Sequence, residues 1–332
     1  MEVKIFPYQP HCFAFGGFDM QMLNALESVK SAGVNASKLD IWSRENDFDI
    51  IHLWGIGQRN YHIIDWAKKS GKAVIATVLL PYFDTTRSKL SYCKHFFSYP
   101  QKELLHYYSL IDKIVVVNNL QSIVLTKYYK VAQSKIEVIP NIIEDKYFEI
   151  PTFNFSKKYE VGNYILCTGN ISSRKNQYNL ALACIKLNLN LVLIGNVLDG
   201  EISYGKSLES LTINNKNIKW IKELPKASEE LVSAYHHCSV FALPSNDETQ
   251  PISALEAMAM HKPIILMNKK YALQSFYKGA YLCKSDSVKD ISDALEECLY
   301  TKNIITYNRE VTKCKANIVG LQYKSVYENL IS

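Results

Sequence analysis

Glu248 and Glu256 stand with seven residues between them in the run Phe241 to Ile265. There an apolar strand pattern breaks into a polar turn and Pro251 opens a helical pattern. Glu248 falls in the turn and Glu256 on the second turn of the helix. A carboxylate accepts hydrogen bonds from paired hydroxyls. The first amides of a helix attract phosphate, here those of Ile252 and Ser253, because Pro251 has none. Spacing alone fits equally well a strand, turn and helix carrying two solvated acids. A second polar turn, Gly169-Asn170-Ile171-Ser172-Ser173-Arg174-Lys175, follows another strand pattern. Arg174 offers a planar fork and Lys175 a point charge, so the pair can neutralise a diphosphate; a solvent-facing basic turn has the same composition. Gly16 and Gly17 follow the first strand pattern, where paired glycines let backbone come close to an anion. Acids for hydroxyls, bases for a diphosphate and glycines for close approach together suit a sugar nucleotide.

The elements that must position these residues are legible as alternation. Strand patterns fall at residues 3–6, 50–53, 73–78, 113–117 and 136–139, and again at 164–168, 191–194, 218–221, 240–243 and 263–267. Amphipathic stretches lie between them, as at 20–32, 121–129, 177–187 and 252–259. Such alternation implies parallel sheets covered on both faces. It halts and restarts near the proline-bearing stretch 149–158, which reads as a linker. The expected fold is α/β, with two Rossmann-like doubly wound domains facing a cleft. The first spans residues 1–150 and the second 151–305, and a helical segment at 306–332 packs back on the first. Ligands in such sheets bind at the carboxyl ends of strands.

Other motifs carry less. Gly55-Ile56-Gly57 lacks the third glycine of a dinucleotide fingerprint and follows the second strand, so it reads as a turn. Asp47-Phe48-Asp49 reads as a polar opening to a strand, because a hard cation needs more oxygen ligands than it offers. His236-His237 lacks cysteine or carboxylate neighbours at ligand spacing and reads as the end of a helix. His11 and His52 lie near early strand ends and are candidates for the acceptor or a helper role, beside a purely structural one.

Bulk properties bound the class. The eight cysteines are scattered with no Cys-x-x-Cys pair, as in a reduced compartment. No apolar run reaches the roughly 18 residues a membrane span needs, and the N-terminus enters a strand pattern without signal-peptide architecture. A cytoplasmic location is expected. A net charge of +6 does not call for nucleic acid. The bases are concentrated between Lys68 and Lys135, and residues 87–108 interleave them with Phe and Tyr. That mixture suits peripheral contact with an anionic membrane, such as the inner face of the plasma membrane; a solvated basic face over buried aromatics is the alternative.

These residues together resemble the retaining glycosyltransferases of family 4, also called group 1. The resemblance rests on Pro244 through Glu248 and Glu256 to Ile265, which match the family's pair of glutamates. It also rests on Arg174-Lys175-Asn176-Gln177, Val138-Ile139-Pro140-Asn141 with Glu144 and Phe148, Leu193-Ile194-Gly195, and Gln322 to Tyr327. It implies a B-type arrangement of two Rossmann-like domains, without a catalytic metal or a cofactor. Arg174 and Lys175 would neutralise the donor diphosphate, Glu256 would bind the ribose, and Glu248 would contact the sugar hydroxyls. Gly16 and Gly17 would approach the phosphate and acceptor. Asn170, Thr249, Gln250, Ile252 and Ser253 complete the implied donor-binding set.

The implied reaction moves a sugar from a nucleoside diphosphate, UDP ahead of GDP, to a hydroxyl of a glycan or lipid-linked glycan with retention of configuration. The basic aromatic stretch suggests a lipid-linked glycan at the inner membrane face, as in capsule or lipopolysaccharide assembly. Alternatives on the same fold are a nucleotide-sugar epimerase and a non-catalytic nucleotide-sugar-binding protein. The chain departs from the family pattern at several places. Thr249-Gln250 replaces a small, glycine-containing turn, and His261 stands where glycine is usual. Leu79 to Tyr82 occupy a stretch that often holds a histidine, and Asn118 replaces a common serine.

Overall fold

A computed structural model describes residues 1–13, 16–82, 98–301 and 309–332. The chain divides into two compact units, Met1–Ile142 with Lys313–Ser332, and Ile143–Thr312. Each holds one parallel sheet of six strands.

The first unit runs β1 (Glu2–Pro7), α1 (Gly17–Ser31), β2 (Asn35–Lys38), β3 (Ile50–Trp54), α2 (Tyr61–Lys69), β4 (Ala73–Thr77), α3 (Tyr99–Leu110), β5 (Lys113–Val116), α4 (Asn119–Tyr128) and β6 (Ile136–Val138). Strand order is β2-β1-β3-β4-β5-β6. Every residue of β3 is buried, as expected for a parallel strand covered on both faces. β2 was not expected from the sequence; Asn-Ala-Ser-Lys has little apolar signal, and β2 forms because β1 supplies its pairing edge. Asp49, at the opening of β3, accepts a 2.7 Å hydrogen bond from the Glu2 amide, so the Asp-x-Asp run serves strand geometry. Two departures from the family pattern touch: Asn118 caps α4 and donates to the Tyr82 hydroxyl at 2.9 Å. Gln121 clamps the amide and carbonyl of Leu80 beside them.

The second unit runs α5 (Phe155–Tyr159), β7 (Tyr164–Thr168), α6 (Gln177–Lys186), β8 (Asn190–Ile194), α7 (Ile202–Ile213), β9 (Ile218–Ile221), α8 (Glu229–His237), β10 (Val240–Leu243), α9 (Ile252–Ala259), β11 (Ile264–Met267), β12 (Tyr281–Cys283) and α10 (Val288–Tyr300). Strand order is β12-β11-β10-β7-β8-β9. The winding reverses between β7 and β10, which are paired. In open α/β sheets such a switch point leaves a crevice at the strand carboxyl ends. The stretch 149–158 lies inside this unit.

The last helix, α11 (Ala316–Ile331), belongs to the first unit and packs on α1. Contact is close at Gly320, where an added Cβ would sit 2.4 Å from the Ser28 carbonyl oxygen. Val319, Tyr323 and Tyr327 join Met22, Val29, Ile50 and Trp54 in one core.

Candidate functional site

The turns after β7 and β10 meet at the switch point of the second unit. After β7 the chain makes one 3-10 turn, Ser173–Lys175, and Asn176 then takes a left-handed conformation, φ 60°, before α6 begins. Arg174 and Lys175 therefore precede the helix. The Asn246 amide donates to the Arg174 carbonyl at 2.9 Å, tying this turn to the loop after β10. The Arg174 guanidinium lies 2.9 Å from Glu248 Oε1 and also donates to the Asp247 carbonyl. Lys175 Nζ is 3.6 Å from the same Glu248 oxygen. Its stem crosses Gly169, where a Cβ would lie 2.6 Å from Nζ. Gly195, at the end of β8, has φ +153°, and a Cβ there would come within 2.1 Å of the Gly169 carbonyl oxygen. Gly195 is needed for this approach of backbone to backbone, and Gly169 for its own φ of +118°, which L side chains rarely adopt.

Pro251 caps α9, so Ile252 is the first helical residue, and its amide and that of Ser253 open the helix. Asn170 is half-buried beside the turn. Thr249 is held through its carbonyl by Gln274 Nε2 at 2.6 Å. Gln250 is buried.

Glu256 is turned toward a network the sequence did not reveal. Its Oε2 accepts a 2.7 Å hydrogen bond from the Tyr235 hydroxyl, which is 2.5 Å from Thr168 Oγ1 at the end of β7. The Tyr147 hydroxyl interacts with the same carboxyl but completes no hydrogen bond of ordinary geometry. Glu144 and Lys226 form an ion pair close by. Burial is the main cause that pushes the Glu256 carboxyl up to about 7, and the Glu144 charge adds to it. The Tyr235 hydrogen bond, the Lys226 charge and the nearby Tyr147 hydroxyl pull the other way. A tyrosine in a helix before a strand carries no sequence signal for this role, because its partner is set by the packing of α8 on α9.

In the first unit, Gly16 caps α1, and its amide donates to Asp19 Oδ2 at 2.8 Å. Asp19 Oδ1 lies 3.3 Å from His11 Nε2. Asp19 was missed, although a carboxylate three residues after the cap is the spacing of a capping box. Gly17 is exposed. His52 corrects an expectation. It is wholly buried, Nδ1 is 2.8 Å from the Tyr327 hydroxyl, and Nε2 is 2.8 Å from Thr77 Oγ1. Burial lowers its pKa to about 3, so it is a neutral core residue with both nitrogens engaged and cannot serve an acceptor. Gly55 and Gly57 form a turn under Tyr8, held by Asn60 through the Gly55 carbonyl and the Gly57 amide.

Of residues 87–108, positions 87–97 lie outside the described residues. In the remainder Tyr99, Lys102 and His106 are exposed, whereas Tyr107 and Tyr108 are buried. Tyr107 stacks on Tyr61 at 4.0 Å and Tyr108 meets Tyr129, because this face of α3 packs on the unit's interior. These two tyrosines are therefore removed from the membrane-facing set. Among the described residues no helix is long and apolar enough to cross a membrane.

Residues 150–311 match the family model described as glycosyl transferases group 1. A stretch of 113 residues, 32% of the chain, is 26% identical to N,N'-diacetylbacillosaminyl-diphospho-undecaprenol alpha-1,3-N-acetylgalactosaminyltransferase of Campylobacter jejuni. It covers 30% of that relative's length. The structure is similar to HepE of Anabaena, solved in complex with UDP and glucose. The TM-score is 0.75 at 12% identity, over 99% of this chain and 100% of that one. It is also similar to sucrose-phosphate synthase of Thermosynechococcus elongatus, with a TM-score of 0.73 at 13% identity over 100% and 99% of the two chains. Residues 150–311 belong to the glycosyl transferases group 1, and the chain as a whole has the two-sheet fold of the B-type glycosyltransferases.

Proposed function

We propose that this protein is a retaining glycosyltransferase that moves a sugar from a UDP-sugar to a hydroxyl of a glycan or lipid-linked glycan, without a catalytic metal. The observation that carries the reading is the convergence of Arg174, Lys175 and Glu248 at the switch point of the second unit. Breaking an anomeric bond places negative charge on the departing β-phosphate. Arg174, Lys175 and the Ile252 and Ser253 amides are the groups that would stabilise it. Glu248 would read the sugar hydroxyls and Glu256 the ribose, with Asn170, Thr249 and Gln250 shaping the donor wall. The leaving phosphate would take the acceptor proton. Gly16 and Gly17 of the first unit are proposed for the donor phosphate and the acceptor, and His11 for the acceptor or a helper role.

UDP as the nucleotide is supported by HepE, which was solved with UDP. A lipid-linked acceptor is supported by the Campylobacter relative, whose name specifies an undecaprenol diphosphate glycan. Exposed Tyr99 and Lys102 suit contact with the membrane in which such an acceptor sits.

The test is transfer from a panel of UDP-sugars to lipid-linked glycans, with the anomeric configuration of the product read by NMR and the rate compared with and without EDTA. Retention at an undiminished rate in EDTA is expected. Inversion, EDTA-sensitive transfer, or epimerisation of donor without acceptor would overturn the reading. Lys175→Ala is expected to lower turnover about 100-fold, the typical effect of losing a preorganised donor to a developing anion. Wild-type turnover would remove Lys175 from the site.

A further inference from the structure

The Glu256 carboxyl is held from behind by residues no motif identifies. Tyr235 is fully buried on α8, with its ring stacked on Phe241 of β10 at 5.6 Å and edge-on to Tyr147 at 5.4 Å. Packing on two sides fixes its ring, and the hydroxyl is left between Thr168 and Glu256. When the Tyr235 hydroxyl donates to Glu256, it can accept only from Thr168, so the chain runs Thr168 O–H to Tyr235 O–H to carboxylate. Thr168 immediately precedes Gly169, where the Arg174–Lys175 turn begins. One hydrogen-bond chain thus joins the strand that launches the basic turn to the carboxylate of α9.

We propose that Tyr235 is a positioning residue of the donor site, holding the Glu256 carboxylate in one orientation through a chain anchored on Thr168. The proposal rests on the reading that Glu256 binds the donor nucleotide. A protonated Glu256 would reverse the chain, since the carboxylic acid could then donate to Tyr235 and Tyr235 to Thr168. The inward oxygen would change from acceptor to donor. Groups facing Glu256 from the surrounding elements are Tyr235 of α8, which Thr168 of β7 contacts in turn, Tyr147 and Glu144 from the 3-10 turn Asp145–Phe148 and its cap, and Lys226 before α8. Among these, Tyr235, Tyr147 and Lys226 favour the carboxylate, and Glu144 opposes it. Deleting the Tyr235 hydroxyl should therefore move the Glu256 titration to higher pH.

The experiment is calorimetric binding of UDP to the full chain from pH 5.5 to 8.5, for wild type, Tyr235→Phe, Thr168→Val and Glu256→Gln. Affinities are taken relative to Glu256→Gln, which cancels the titration of the diphosphate itself. Tyr235→Phe is expected to weaken UDP about 10-fold at pH 7, as the loss of a hydrogen bond to a charged group does. Its low-pH limb should shift upward, with a smaller shift in the same direction for Thr168→Val, which keeps the ring packing. A tyrosine that merely packs would lower thermal stability and leave the limb where wild type has it. Tyr235→Phe or, should that variant not fold, Thr168→Val with an unshifted limb would overturn the proposal. Glu256→Gln binding UDP as tightly as wild type at every pH would instead overturn the reading of Glu256 as a donor ligand.

Discussion

Glu248 and Arg174 are 74 positions apart in the chain and 2.9 Å apart in space, and the same Glu248 oxygen is 3.6 Å from Lys175. The basic turn proposed to receive a diphosphate thus already faces an anion. That carboxylate keeps two cations together which would otherwise repel, and it must be displaced or shared when phosphate arrives.

Removing the Glu248 charge should therefore separate binding from turnover. Glu248→Gln is expected to bind UDP about 3-fold tighter, because the cations lose a competing partner that is only partly desolvated. Turnover should fall about 10-fold or more, because the sugar would lose the carboxylate proposed to hold its hydroxyls in the transition state. Calorimetry with UDP and initial transfer rates check the two parts. Weaker UDP binding would show that Glu248 assists the cations instead of competing for phosphate.

His52 gives the first unit a defined pH window. Its folded pKa, about 3, is below the ordinary 6.5, so between those values the unfolded chain binds the extra proton. Its contribution is complete above pH 6.5 and is lost as pH falls toward 3. His52→Phe leaves the Tyr327 and Thr77 hydroxyls without their partner and is expected to cost about 2 kcal/mol at pH 8. The deficit should shrink at pH 5, where wild type must keep the imidazole neutral at a cost. Urea unfolding at both pH values measures it, and a deficit independent of pH would count against the account.

Gly320 sets the separation of α1 and α11. A Cβ at that position would meet backbone at Ser28, which cannot rotate away as a side chain can. Gly320→Ala is expected to cost about 2 kcal/mol despite the gain in helix propensity. Thermal unfolding reads this as a lowered Tm; an unchanged or raised Tm would mean that the helices separate freely.

The sequence by itself determined the two wound sheets and the turns that carry the candidate site. Those features are local: β-branched runs, Gly169 and Gly195 at strand ends, and Pro251 at a helix cap act through backbone geometry over a few residues. Local signal also explains what was lost. β2, Asn35–Lys38, carries too little apolar pattern and β12 is only three residues long, and each forms on an edge that a neighbouring strand provides. Only the tertiary structure decided which polar groups face one another. His52 and His11 look alike in sequence, yet one is sealed in the core by Tyr327 and Thr77 and the other lies against Asp19 at the head of α1. Tyr235 has no motif, and the packing of α8 and β10 delivers its hydroxyl to Glu256. Burial and the direction of a hydrogen bond depend on residues brought together from distant positions, and it is those that determine which carboxylate is charged and where it points.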